Sequence, residues 1–184
     1  IVYRSCQASP SIAGSYRTWE RCVGNCATFD PEDVMARMHL SAPDLVLSPP
    51  SGSAGFVHQN VWVWTYTDMA DHTLPDRSGA NIIIATRTLT ELDWDWGDGT
   101  VDRTAGWPAA CRAYTKADGG AAAPAHCGHA YSRPSPAGKP YKISVTAHWL
   151  FTYTFNGGPN QTLPPQVFTN TQTITIKEGE STNG

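Results

Sequence analysis

The stretch Leu92-Asp93-Trp94-Asp95-Trp96-Gly97-Asp98-Gly99-Thr100 constrains this chain more than any other. In an extended backbone successive side chains point to opposite faces, so Leu92, Trp94 and Trp96 share one face while Asp93 and Asp95 share the other. A strand written this way has one apolar side to bury and one side for water. Gly97-Asp98-Gly99 then stops it: glycine takes positive φ at no steric cost, and an aspartate between two glycines can hold a reversal by accepting hydrogen bonds from backbone amides. This is hairpin chemistry, and it commits the neighbourhood to antiparallel sheet.

Other segments repeat the signal. Val61-Trp62-Val63-Trp64-Thr65-Tyr66-Thr67 and the run from Asn81 to Thr90 are rich in β-branched and aromatic residues, and Tyr141 to Phe155 and Gln166 to Ile176 also have strand character. Five or more strands imply a sandwich or barrel. Asp68 to Gly79 reads as a polar turn region, and Val101 to Pro140, with Gly119-Gly120-Ala121-Ala122-Ala123-Pro124 inside it, reads as loop. The first 45 residues differ in texture. Three cysteines crowd into them, and Asp30 to Met38 predicts one short helix, with Asp30 as N-cap and Pro31 in the first helical position. A Pro-, Ser- and Gly-rich stretch from Ser48 to Gly55 leads into the strands.

Composition narrows the function classes. Of 184 residues only 16% are charged, against ~25% in an average soluble protein, as in many secreted all-β proteins. A net charge of -3 without a basic cluster offers nothing to nucleic acid or to an anionic membrane. No apolar run approaches the ~20 residues of a membrane span, and Ile1 is not followed by the charged and apolar segments of a signal peptide, so an exported form is expected to have lost its leader. Cys6, Cys22, Cys26, Cys111 and Cys127 fit no common zinc spacing and are read as disulfide cysteines with one left over.

Downstream of the turn, His129-Ala130-Tyr131 precedes Tyr141-Lys142-Ile143-Ser144-Val145-Thr146-Ala147, whose Tyr141, Ile143, Val145 and Ala147 alternate with polar partners. Together these residues resemble PKD-type domains, immunoglobulin-like modules marked by W-D-F-G-D-G, then H-x-Y, then a Y-x-V strand. Trp96 stands where that pattern has Phe, and the gap from Gly99 to His129 is much longer than usual. The chain looks most like PKD-like proteins secreted by actinobacteria, with their late T-L-P-P segment at Thr162-Leu163-Pro164-Pro165 and their cysteine-closed insertion. The resemblance implies an all-β, immunoglobulin-like sandwich over 46–178 and an insertion at 101–140 closed by Cys111 and Cys127. A cysteine-containing appendage at 1–45 and a flexible tail at 179–184 complete the expected organisation.

Several residues invite a chemical role. Asp93, Asp95 and Asp98, with Asp102, could gather oxygens around calcium, although Asp95 and Asp98 have a sufficient task in the turn. Trp62, Trp64 and Tyr66 share one side of a strand and Trp149, Phe151, Tyr153 and Phe155 one side of another; such rows can stack sugar rings, yet sandwich cores are paved with the same side chains. His129 is expected to pack beside Tyr131, and Cys127 belongs with Cys111 rather than in a metal site with His126 and His129. No G-x-S-x-G elbow, H-E-x-x-H helix or phosphate loop is present. The expected function is therefore that of an extracellular structural or adhesive module, not an enzyme, binding another protein chain or itself, without a cofactor. The alternative is a carbohydrate-binding module, or an accessory domain of a secreted glycan-active system, with surface glycan as its partner.

Overall fold

The computed structural model describes residues 9–10, 16–17, 31–78, 81–119 and 121–179. Cys6, Cys22, Cys26, Asp30 and the last five residues lie outside these. The described chain is mostly strand, with one short helix, as an all-β reading expects. Among the described residues no helix is long and apolar enough to cross a membrane.

In chain order the elements are β1 (Ser9–Pro10), β2 (Tyr16–Arg17), α1 (Pro31–Arg37), β3 (Leu45–Ser48), β4 (Ala54–Phe56), β5 (Asn60–Thr65), β6 (His72–Ser78), β7 (Asn81–Asp95), β8 (Val101–Thr104), β9 (Gly128–Ala130), β10 (Tyr141–Phe155), β11 (Gln161–Thr162) and β12 (Gln166–Lys177). β1 and β2 pair with each other. A seven-stranded sheet runs β4-β12-β10-β7-β6, with β11 on β10 and β8 on β7, and a three-stranded sheet runs β3-β5-β9. By contacts the chain divides into two compact units, one of Ile1–Leu40, Asp71–Thr88 and Trp149–Gln166, the other of Ser41–Ala70, Leu89–His148 and Val167–Gly184.

In the first unit α1 starts at Pro31, whose fixed φ suits the first helical position, and carries Arg37 in its last turn, where a cation faces the helix dipole favourably. Val34 and Met38, four apart, fall on one face. They are buried with Ile83 and Ala85 of β7, Phe151 and Tyr153 of β10, and Leu163. β6 pairs with β7 from Ser78↔Asn81 to His72↔Arg87. The expected polar turn at 68–79 is thus largely strand. Its sequence lacks hydrophobic alternation because β6 is an edge, where a proline without an N–H, such as Pro75, is tolerated.

In the second unit β5 is the central strand of its sheet, paired with β3 from Leu45↔Thr65 to Ser48↔Trp62 and with β9 from Asn60↔Ala130 to Trp62↔Gly128. Val61, Trp62, Val63 and Trp64 are all buried, so both of its faces are covered. β8 folds back on β7 from Asp95↔Val101 to Leu92↔Thr104. β8 and β9 both fall within the expected loop at 101–140. Each is four residues or fewer, too short for a periodicity to show. β12 runs parallel to β4, from Thr175↔Ala54 to Lys177↔Phe56.

The two long strands bury their side chains differently. Along β10 odd-numbered positions are buried from Ile143 to Tyr153 without a break. Along β7 the buried positions are Ile83, Ala85, Arg87 and Leu89, and then Leu92 and Trp94. The parity slips by one between Leu89 and Leu92, as one extra residue in a paired strand makes it do. Beyond the slip Glu91 and Asp93 are half-buried on the side away from Leu92 and Trp94.

Candidate functional site

The turn after β7 is held from several directions. Gly97 has φ +82°, and a Cβ there would lie 2.7 Å from the backbone N and O of Lys142, so no side chain fits. The Gly97 N–H donates to Asp95 Oδ1 at 2.8 Å, and the Thr100 N–H donates to Asp98 Oδ1 at 2.9 Å. The Trp96 N–H donates to the Thr100 carbonyl at 3.0 Å, closing the reversal. The expected faces are observed: Trp94 and Trp96 are 2% exposed, and their rings stack at 5.5 Å. Among the described residues the buried Trp94 indole N–H has no hydrogen-bond partner.

The H-x-Y segment locks onto this turn. His129 Nε2 sits 2.8 Å from Asp98 Oδ2, and its ring stacks on Trp96 at 5.1 Å. The Tyr131 hydroxyl donates to the Trp96 carbonyl at 2.9 Å, with its ring stacked on Tyr141 at 4.7 Å. Burial pushes the Asp98 carboxyl up, but bonds from His129 and Thr100 outweigh it and hold the group below the usual carboxylate range. Burial, with the Asp98 charge nearby, pushes the Tyr131 phenol well above its ordinary value. These residues form a structural clasp.

The disulfide Cys111–Cys127 is present. The segment it closes reaches Trp62 of the first aromatic row. Tyr114 meets Trp62 edge-on at 5.5 Å, and Arg112 lies over the Trp62 ring at 5.5 Å. Arg112 is itself held by both oxygens of Asp118, and hydrogen bonds from Arg112 and Thr115 keep that carboxyl well below the usual range. Of the two readings of these rows, core and sugar platform, burial favours core. Trp62 and Trp64 are in the core, and so are Trp149, Phe151 and Tyr153 of the second row. Only Tyr66, one residue past β5, is strongly exposed. The rings looked like a platform because alternation marks a shared side, whereas β5 has both sides covered.

The acids have separate tasks. Asp95 and Asp98 serve the turn, and Asp102 pairs with His126 Nδ1. Asp93 Oδ1 accepts from Arg103 Nε at 2.6 Å, and Asp93 Oδ2 lies 2.9 Å from His148 Nε2. Burial raises the Asp93 carboxyl, but the bonds from Arg103 and His148 bring it below the ordinary value. The calcium set of Asp93, Asp95 and Asp98 does not converge. Among the described residues the one group of three metal-ligating side chains within 4.8 Å of each other is Glu91, Asp93 and His148. Cys127, spent on Cys111, is no ligand for an ion beside His126 or His129.

No family model, no curated protein and no solved structure matches this chain. Its function therefore has to be read from its own side chains. Sequence reasoning missed Glu91, Arg103 and His148, which only the slip in β7 and the pairing of strands bring together. It also missed Arg87. That side chain is 3% exposed, donates to the carbonyls of Met38 and His39 after α1 and lies 5.3 Å from the Trp149 ring centroid. An arginine in the middle of a strand pattern gives no sign that it will bind the carbonyls that follow a helix.

Proposed function

We propose that this chain is a secreted or surface-located immunoglobulin-like sandwich of the PKD type, and that it acts as a structural or adhesive module by contact with another protein chain or a second copy of itself. The observation that carries this reading is the edge strand β3. It is the outer member of its sheet, and Leu45-Val46-Leu47-Ser48 contains neither proline nor charge. Unguarded edges pair with other chains, while guarded ones carry proline or charge, or are very short. The edge at β6 has Pro75 and the Arg37–Asp76 ion pair, and β4 and β9 have three residues each. Leu45 lies opposite Thr65, so the 80%-exposed Tyr66 stands next to the start of this edge.

Two further features support the reading. The Cys111–Cys127 bond suits an oxidising compartment. The titratable groups around the turn are engaged in holding backbone or in ion pairs, so no turnover of glycans, peptides, esters or phosphates is expected. Carbohydrate binding is disfavoured because the rows that would stack sugar are buried.

Sedimentation at micromolar concentration and pull-down from the producing cell's surface, each with wild type, Val46→Lys and Val46→Glu, test the proposal. Wild type should associate, with an interface of at least ~1,000 Å² if the contact is specific and stable. Both variants should lose that association while melting as wild type does. A monomer that captures nothing, or association indifferent to both variants, overturns the role of β3. Hydrolysis of a polysaccharide that stops when one carboxylate is neutralised overturns the functional class.

A further inference from the structure

We propose that Glu91, Asp93 and His148 form a site for one divalent transition-metal ion of the zinc class, closed in its metal-free state by Arg103. The donors are one imidazole nitrogen and two carboxylate oxygens within 4.8 Å of one another. Glu91 and Asp93 are two residues apart on β7 and share a side, and His148 stands on the neighbouring strand β10. The backbone under them is tied, because Thr90 Oγ1 donates to the His148 carbonyl at 2.9 Å. Two paired strands hold ligand-bearing positions more rigidly than a loop does. The side chains are about a third exposed, 35% for Glu91 and Asp93 and 30% for His148, so an ion can reach them without opening the core.

The donor chemistry selects the class of ion. Calcium takes six to eight oxygens, and this group offers two carboxylates and a nitrogen. Imidazole with carboxylate suits zinc, nickel and copper, and three protein ligands leave a coordination position for water. The other histidine–carboxylate pairs, His126 with Asp102 and His129 with Asp98, supply two donors each. They do not make a third ligand available.

Arg103 stands where a cation would. Its Nε is 2.6 Å from Asp93 Oδ1 and 3.5 Å from Glu91 Oε1, so one guanidinium answers both carboxylates. Its side chain is 66% exposed, and an exposed ion pair contributes little, so it can leave for water when a doubly charged ion arrives. His148 Nε2 and Asp93 Oδ2 are at present joined at 2.9 Å. Binding replaces the proton between them with the metal: Nε2 turns its lone pair to the ion, and the displaced proton goes to Nδ1 or to solvent. His148 binds as neutral imidazole and Asp93 as carboxylate.

The test uses the whole chain, stripped with chelator, and titrates it with zinc chloride, nickel chloride and calcium chloride by calorimetry, with thermal melts in parallel. One zinc per chain should bind and raise the melting temperature, and calcium at the same concentrations should do neither. His148→Gln and Glu91→Gln should each weaken zinc binding at least about ten-fold, which is the effect of losing ~1.4 kcal/mol. Arg103→Gln should tighten it, since the competing cation is gone. Metal-free melts show whether each variant is folded, and Glu91→Gln carries the test if His148→Gln is not. Absence of saturable zinc binding overturns the site, as does zinc binding that both ligand variants leave unchanged, which would put the ion on another histidine. An affinity unchanged or weakened in Arg103→Gln overturns the displacement.

Discussion

Asp98 and His129, 31 residues apart in sequence, meet at 2.8 Å, and through that contact the long segment between β8 and β9 is returned to the turn that precedes it. Asp98 also accepts from the Thr100 N–H, so one carboxylate holds both the reversal and the segment that closes on it. Asp98→Asn should therefore destabilise by about 1 kcal/mol, the net worth of a typical hydrogen bond. The pH dependence follows from the depressed Asp98 carboxyl. Its stabilising contribution is complete above the unfolded value of about 3.9 and is lost as pH falls through the lower folded value. Denaturant melts from pH 7 down to pH 2 should show an acid limb that is shallower in Asp98→Asn. An equally steep limb in the variant would assign acid sensitivity to other carboxylates.

Reduction of Cys111–Cys127 should lower stability by about 3 kcal/mol, the loop-entropy value for a closed segment of this length. The double variant Cys111→Ser/Cys127→Ser should behave like reduced wild type. Because Arg112 and Tyr114 reach Trp62 from this segment, tryptophan fluorescence should shift along with the melt. A melt unaltered by reductant would mean that Arg112, Asp118 and Thr115 hold the segment unaided.

The turn was legible in the sequence because every residue in it has one dominant local role: alternation puts Trp94 and Trp96 on one side, and glycine marks positive φ. Pro31 likewise announced α1. β6 was not legible, since an edge strand has no obligation to alternate and Pro75 reads as a turn residue anywhere else. The aromatic rows left two readings open for a related reason. Periodicity says which side chains share a side, whereas exposure depends on what lies across from them, here Tyr114 and Arg112 over Trp62. Glu91, Asp93 and His148 escaped because their meeting depends on a one-residue slip between Leu89 and Leu92, which no local pattern encodes.

Trp94→Ala should cost about 3–5 kcal/mol, the range for deleting a large buried aromatic. Trp94→Phe should cost clearly less, because it keeps much of the buried ring and removes an indole N–H that has no acceptor among the described residues. Tyr131→Phe, which leaves the Trp96 carbonyl without its donor, should cost about 1 kcal/mol. Urea melts of the three variants should rank them with Trp94→Ala far below the others. Equal costs for Trp94→Phe and Trp94→Ala would mean that the indole nitrogen has a partner.

The two glycines of the turn separate backbone conformation from space. Gly97 and Gly99 have φ of +82° and +93°, so alanine at either is strained, by about 1–2 kcal/mol on the usual cost of a left-handed L-residue. At Gly99 nothing lies within 4 Å of a new Cβ, and Gly99→Ala should cost about that amount alone. At Gly97 the Cβ would meet the Lys142 backbone at 2.7 Å, and backbone in a paired strand cannot step aside as a flexible side chain can. Gly97→Ala should therefore destabilise well beyond Gly99→Ala and should disturb the clasp itself. The Tyr131–Tyr141 stack and the His129–Asp98 contact, followed by proton chemical shifts, should move in Gly97→Ala and stay in place in Gly99→Ala. Equal costs for the two substitutions would show that the turn can lift away from β10, and that the close approach at Lys142 is not what requires glycine.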